Sequence, residues 1–251
     1  MKPWDKEKWC IASVTPRFVA CLEDVLDVYE EPYDPLRPVV CVDEYPLALS
    51  APSRPELPMH PGQPARQDYE YQRRGSCSLF GAFQPRAGWR TVQVHERRTA
   101  QDFAHFLQTL VDEHFPDAQV IRLVLDNLNT HTLAALYATF PPAEAHRIAR
   151  KLEFHYTPPH GSWLNMIEIE WSVLAHQCFK HRRLPDSPTV QREVDAWAAR
   201  RNAAHATVHW CFTTPDARRA VRYPLPLEAA SAADPAAPAP APPHEGGQQV
   251  A

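Results

Sequence analysis

Two carboxylates in this sequence stand where an apolar run gives out. Val120-Ile121-Arg122-Leu123-Val124-Leu125 ends at Asp126, and Pro38-Val39-Val40-Cys41-Val42 ends at Asp43, followed by Glu44. Burial accounts for the Val, Ile and Leu of such runs, which read as central strands covered on both faces. It does not account for an acid at the tip, and strand ends are where open α/β sheets place their chemistry. A third acid, Glu168 or Glu170, lies on a helical stretch opened by Gly161-Ser162. Carboxylates that converge from separate elements repel one another unless bound cations neutralise them. Their hard oxygens favour Mg2+ or Mn2+ over zinc. Two such ions ~3.5–4 Å apart clamp the attacking and leaving oxygens of an in-line phosphoryl displacement.

Periodicity does not choose between the two glutamates. Leu164, Ile167, Trp171, Leu174 and Cys178 form a core stripe at 3, 4, 3, 4 spacing. On a helical wheel Glu168 and Glu170 each fall about 80° from the centre of that stripe, on opposite sides.

The elements that must position these acids follow in order. Apolar residues at 18, 19, 22, 25, 26 and 29 predict a helix from Pro16 to Glu31, before the strand 38–43. Residues 46–66 carry six prolines and predict an irregular excursion. Ser76–Phe83 and Trp89–Val94 read as a hairpin turned at Gln84-Pro85-Arg86-Ala87-Gly88. Thr99 is a candidate N-cap for a helix to about Phe115, with Phe103, Phe106, Leu107, Leu110 and Val111 on one face. The strand to Asp126 comes next, then helical material over 131–151 broken at Pro141-Pro142, and a short strand Leu152–Tyr156. The helix opened at Ser162 and another over Ser187–Ala203 complete the series. Hairpin-joined strands first and βαβ units after give a mixed five-stranded sheet with helices on both faces, an order that suits an RNase H-like α/β core.

Three stretches carry a family resemblance: Val-Val-Cys-Val-Asp-Glu (39–44), Leu-Val-Leu-Asp-Asn-Leu-Asn-Thr-His (123–131) and His-Tyr-Thr-Pro-Pro-His-Gly-Ser-Trp-Leu-Asn-Met-Ile-Glu-Ile-Glu (155–170). Together they resemble the DDE endonuclease domain of IS630-type transposases, within the Tc1/mariner group. The likeness runs from about Lys2 to Tyr223. It implies an RNase H-like fold, DNA cleavage and rejoining with two Mg2+ (or Mn2+) ions, and a triad of Asp43, Asp126 and Glu168 as catalytic and metal-binding residues. Glu170 then becomes a neighbour. Double-stranded DNA, both transposon ends and target, is the implied partner, bound by a homodimer in the cytoplasm on the nucleoid. Tyr45-Pro46 departs from the small polar residues expected after the first acid pair. The helix-turn-helix region that reads transposon ends is missing from the sequence, so a separate helix-turn-helix protein is a further expected partner. On this reading 1–37 is a helical lead-in, 38–223 the catalytic domain, and 224–251 a tail.

Other residues have sharper and blander readings. Asn127 and His131 follow Asp126 closely, and either orient phosphate or water around it or merely begin the next helix. Lys180, Arg182 and Arg183, with Arg200 and Arg201, form the basic groups expected to hold the DNA backbone without reading sequence. A solvated surface would look the same. His160, Ser162 and Asn165 are expected to shape the loop and cap the helix. His205 and His209 have the i, i+4 spacing of a zinc pair, but without a third ligand a structural role is expected.

Charge is uneven along the chain. Residues 1–45 hold ten acids against five Lys/Arg, whereas 172–222 hold nine Lys/Arg against four acids. The second balance suits a polyanion-facing surface. Six cysteines without CxxC or disulfide-like spacing read as free thiols of a reducing compartment. No signal peptide and no apolar run of spanning length are present, which predicts a cytosolic protein and no membrane. The Ala/Pro-rich stretch from Pro224 has too little apolar side chain to repay ordering, and predicts disorder. The rival to an enzyme is a truncated, non-catalytic DNA-binding or dimerising relic that modulates a full-length transposase.

Overall fold

The computed structural model describes residues 14–55, 57–64, 66, 68–180, 182–220 and 223. Five strands, β1 (Val39–Pro52), β2 (Tyr71–Gln84), β3 (Trp89–His95), β4 (Ile121–Leu125) and β5 (Leu152–Tyr156), form one sheet in the order β3-β2-β1-β4-β5. β1 pairs antiparallel with β2 across the long connection 53–70, and β2 pairs antiparallel with β3 across the tight turn 85–88. β4 runs parallel to both β1 and β5, each reached through helical crossovers. This is the mixed RNase H-like arrangement. All five residues of β4 are buried, as a strand covered on both faces requires.

Among the described residues seven α-helices accompany the sheet: α1 (Pro16–Glu30), α2 (Ala100–Thr109), α3 (Ala134–Thr139), α4 (Pro142–Ala149), α5 (Ile167–Leu174), α6 (Ser187–Ala203) and α7 (Thr214–Ala220). Strand alternation divides the core into two layers. Cys41, Leu79, Phe83 and Val124 pack with Leu22, Leu26, Trp171, Leu174, Val190 and Trp197, so α1, α5 and α6 lie on one face. Val40, Val42, Phe80, Leu123 and Leu125 pack with Phe103, Leu107, Leu136 and Ile148, so α2, α3 and α4 lie on the other. The helix starts follow their side chains. Thr99 and Asp102 make a reciprocal capping box at α2, while Thr15 and Asp186 cap α1 and α6.

Three expectations need correction. The irregular excursion expected over 46–66 starts later, and no named strand covers the described residues between Pro52 and Tyr71: β1 continues through Pro46 to Pro52 and pairs with β2 as far as Tyr71. Its pairing with β4 covers only Val39 to Cys41. Beyond that point one edge of β1 is open, and a missing proline N–H costs no ladder bond. The helix expected from Ser162 is interrupted. One 3-10 turn covers Ser162–Leu164, Asn165 takes an extended conformation, and α5 starts at Ile167. α7 was not foreseen; its short sequence lacks an apolar stripe. The Ala/Pro-rich tail, from 224 on, lies outside the described residues.

Candidate active site

The side-chain alternation of β1 decides which acid faces which helix layer. Cys41 belongs to the α5 face and Val42 to the α2 face. Asp43 therefore turns toward α5, and Glu44 toward α2. On β4, Val124 pairs with Cys41 and shares its face; Asp126 follows just past the strand, where its charge acts on both Asp43 and Glu168. Asp43 thus lies within β1, two residues past its pairing with β4, and Asp126 follows the last residue of β4.

α5 crosses that face, and two contacts hold its start against β1. Asn165, buried just before the helix, donates from Nδ2 to the carbonyl of Val42 at 2.9 Å. This ties the head of the helix to the residue preceding Asp43. Gly81 pairs directly across from Asp43 on β2. A Cβ built there would stand 2.4 Å from Cη2 of Trp171 and 2.9 Å from Cδ1 of Ile167. Only glycine lets these α5 side chains lie on the strand backbone beside the aspartate.

The electrostatics report the convergence. The Asp43 carboxyl is pushed up to about 7, first by burial and then by the negative charges of Glu168 and Asp126; the Glu44 N–H and His131 act against this. That N–H donates to Asp43 Oδ1 at 2.8 Å. Glu168 is also raised, by burial and by the charge of Asp126. Each acid is thus within electrostatic reach of another.

Glu170 has a different fate. Its buried carboxylate accepts from Arg201 at 2.7 and 3.0 Å and meets Arg90 Nε at 2.9 Å, with both Glu170 and Arg90 side chains at most 3% exposed. Both its oxygens are committed to a structural ion network. Glu168, exposed in the first turn of α5, is the glutamate that Asp43 senses.

Among the described residues, no group of three or more His, Cys, Asp or Glu side chains is drawn closely enough together to hold a metal ion. The donor set nonetheless suits a hard divalent cation: three carboxylates, no sulfur, and mutual repulsion that a cation would relieve. Repulsion among unneutralised acids is also a sufficient reason for their not closing into a ligand cage.

His131 is fully buried and bridges two acids. Its Nδ1 lies 2.6 Å from Asp126 Oδ1 and its Nε2 lies 3.2 Å from Glu44 Oε1. Burial disfavours its charge, but the bonds to Asp126 and Glu44 prevail and raise its pKa to about 9. Asn127 is exposed beside it.

The basic residues do not act as one group. Lys180 and Arg200 are exposed. Arg182 pairs with Glu193 at 2.8 Å, Arg183 reaches the Asp68 carbonyl and lies over the Tyr71 ring, and Arg201 is committed to Glu170. His205 and His209 are both exposed near the end of α6. A cation that sequence reasoning passed over is Arg98, an exposed side chain 3.8 Å from Glu44 Oε2 at the rim of the acid cluster. Its one signal was the Arg97-Arg98 doublet just ahead of a capped helix.

Residues 38–191 match the family model described as DDE superfamily endonuclease. Among solved structures, the chain is similar to the Mos1 mariner paired end complex with Mn, at 18% identity and a TM-score of 0.52, covering 80% of this chain and 63% of that one. It is also similar to the Mos1 strand transfer complex, at 16% identity and a TM-score of 0.53, covering 81% and 62%. The chain therefore spans less than two thirds of those Mos1 chains, and at such identities the likeness speaks for the fold. Comparison with curated proteins gives no match.

Proposed function

The chain belongs to the DDE superfamily endonuclease family, and from that premise we propose that it is the catalytic part of a transposase, a metal-dependent DNA endonuclease and strand transferase. Asp43, Asp126 and Glu168 are its catalytic and metal-holding residues. The observation that carries this reading is the convergence of three acids from β1, the loop after β4 and α5, where burial first, and then the charges of Glu168 and Asp126, lift Asp43 to about 7. Two Mg2+ or Mn2+ ions held there would supply Lewis-acid polarisation of phosphoryl oxygens and a lowered pKa for the attacking hydroxyl.

The protein's own part is placement. Asp43 within β1 and Asp126 just past β4 present carboxylates from adjacent strands, and Asn165 and Gly81 fix the helix that carries Glu168. Arg98 stands at the rim, where a scissile phosphate would meet an exposed guanidinium. Lys180 and Arg200 are free to meet the DNA backbone. The names of the similar Mos1 structures, a paired end complex with Mn and a strand transfer complex, support a divalent ion and strand transfer for this chain, and with them we propose double-stranded DNA as its partner, bound by a homodimer. No helix among the described residues is long and apolar enough to cross a membrane.

The test is nicking of supercoiled plasmid by the purified protein. Nicking that requires Mg2+ or Mn2+ and is lost in Asp126→Ala supports the enzyme. DNA binding without cleavage at any divalent ion concentration would instead identify a non-catalytic relic, and a preference for RNA–DNA hybrids another kind of RNase H-like nuclease.

A further inference from the structure

Glu44 follows Asp43 directly, yet strand alternation sends it through to the opposite face of the sheet, where its side chain is only 4% exposed. A buried carboxylate is costly unless it is paired. Its Oε1 is 3.2 Å from His131 Nε2, and the other nitrogen of that ring is 2.6 Å from Asp126 Oδ1. The ring is itself immobilised. It packs on Phe103 with centroids 4.5 Å apart, and the carbonyl of its own residue accepts the Tyr156 hydroxyl at 2.8 Å. Three residues from β1, the loop after β4 and the end of β4 are thus linked in a carboxylate–imidazole–carboxylate chain. Oε2 of Glu44 is buried without a hydrogen bond, its nearest cation being Arg98 at 3.8 Å. Nothing in core packing calls for such an acid.

We propose that Glu44 and His131 are positioning residues that clamp the rotamer of Asp126 and thereby set the affinity of the site for its divalent cation. This rests on the reading of Asp126 as a metal-holding residue. Glu44 fixes the orientation of the imidazole, so that Nδ1 donates to Oδ1 of Asp126 and holds that carboxylate in one plane. Orientation of a ligand by a hydrogen-bonded partner of this kind typically changes metal affinity by 10–100-fold. The same peptide that presents Asp43 to one face therefore stabilises Asp126 from the other.

The test measures Mn2+ binding directly, from the electron paramagnetic resonance signal of free Mn2+, with thermal melting of each protein recorded alongside. Glu44→Ala and His131→Ala are expected to raise the Mn2+ Kd by about 10–100-fold. Glu44→Gln, whose carbonyl can still accept from Nε2, is expected to recover most of the affinity. His131→Asn, which keeps an amide donor toward Asp126, serves where the alanine variant does not fold, and is expected to bind more tightly than Glu44→Ala. A merely structural role would lower the melting temperature and leave the Kd unchanged; folded Glu44→Ala with wild-type Kd overturns the proposal. Asp126→Asn separates the two levels. If it too binds Mn2+ like the wild type, the metal-site reading fails and the clamp falls with it; if it loses binding while folded Glu44→Ala keeps the wild-type Kd, only the clamp fails.

Discussion

Replacing Asp43 by Asn should make the protein more stable and inactive at once, and the stability gain should depend on pH. In the folded chain this carboxyl keeps its proton up to about 7, against an ordinary value of 3.8. The folded state therefore binds more protons than the unfolded state between those values, and stability falls as pH rises through that window. Below about 3.8 the contribution is fully present; above about 7 it is fully lost. A rise of about 3 units corresponds to ~4 kcal/mol at 1.36 kcal/mol per unit. Partial solvent screening of the charge reduces this to about 2–4 kcal/mol. Asn keeps the oxygen that accepts the Glu44 N–H but carries no charge, so its stability lacks this fall. Urea or thermal unfolding in EDTA should show Asp43→Asn ahead by roughly 5–15 °C at pH 8, with the gap closing to ~1 kcal/mol or less at pH 4.5. Millimolar Mg2+ should recover the wild type and leave the variant unmoved, since ligand that binds only the folded state stabilises it by mass action. A gap of equal size at both pH values would refute the claim that burial and the neighbouring acids strain this carboxyl.

The two glutamates of α5 should separate by what they cost. Glu168→Gln is expected to abolish nicking with a stability change within about 0.5 kcal/mol, as for an exposed side chain. Glu170→Gln is expected to lose about 3–5 kcal/mol in urea unfolding, because it strands the buried Arg90 charge. Gly81→Ala should cost about 1–3 kcal/mol by overpacking against Trp171 and should slow nicking; trimming the indole with Trp171→Phe in the same chain should recover part of the stability. Lys180→Glu with Arg200→Glu should weaken DNA binding and flatten the slope of log affinity against log salt by roughly 2 in a fluorescence anisotropy titration. An unchanged slope would place neither side chain on DNA.

The end of β4 was legible because its apolar run stops at Asp126, whereas the same signal at Asp43 marked the end of the apolar run and not of β1. The stripe through Leu164, Ile167, Trp171 and Leu174, and the caps at Thr99, also lay in local spacing. What stayed hidden depended on partners distant in sequence. Glu168 and Glu170 differ because Arg90 and Arg201, far apart in sequence from each other, close on one of them. Arg201 looked like a surface cation for the same reason. The length of β1 was concealed by Pro46, whose cost vanishes only because β4 stops short of it. His131 could not be told from a helix-opening residue until Glu44 was seen to come through from the neighbouring strand.

Because consecutive residues of β1 serve opposite layers, the two acids are distinguished by parity alone. Inserting one residue between Val39 and Asp43 would exchange their destinations, sending the longer side chain to α5 and the shorter to His131. Deleting one would do the same. This segment should therefore accept many changes of identity among its apolar members, while a shift in length by a single residue would dismantle both arrangements together.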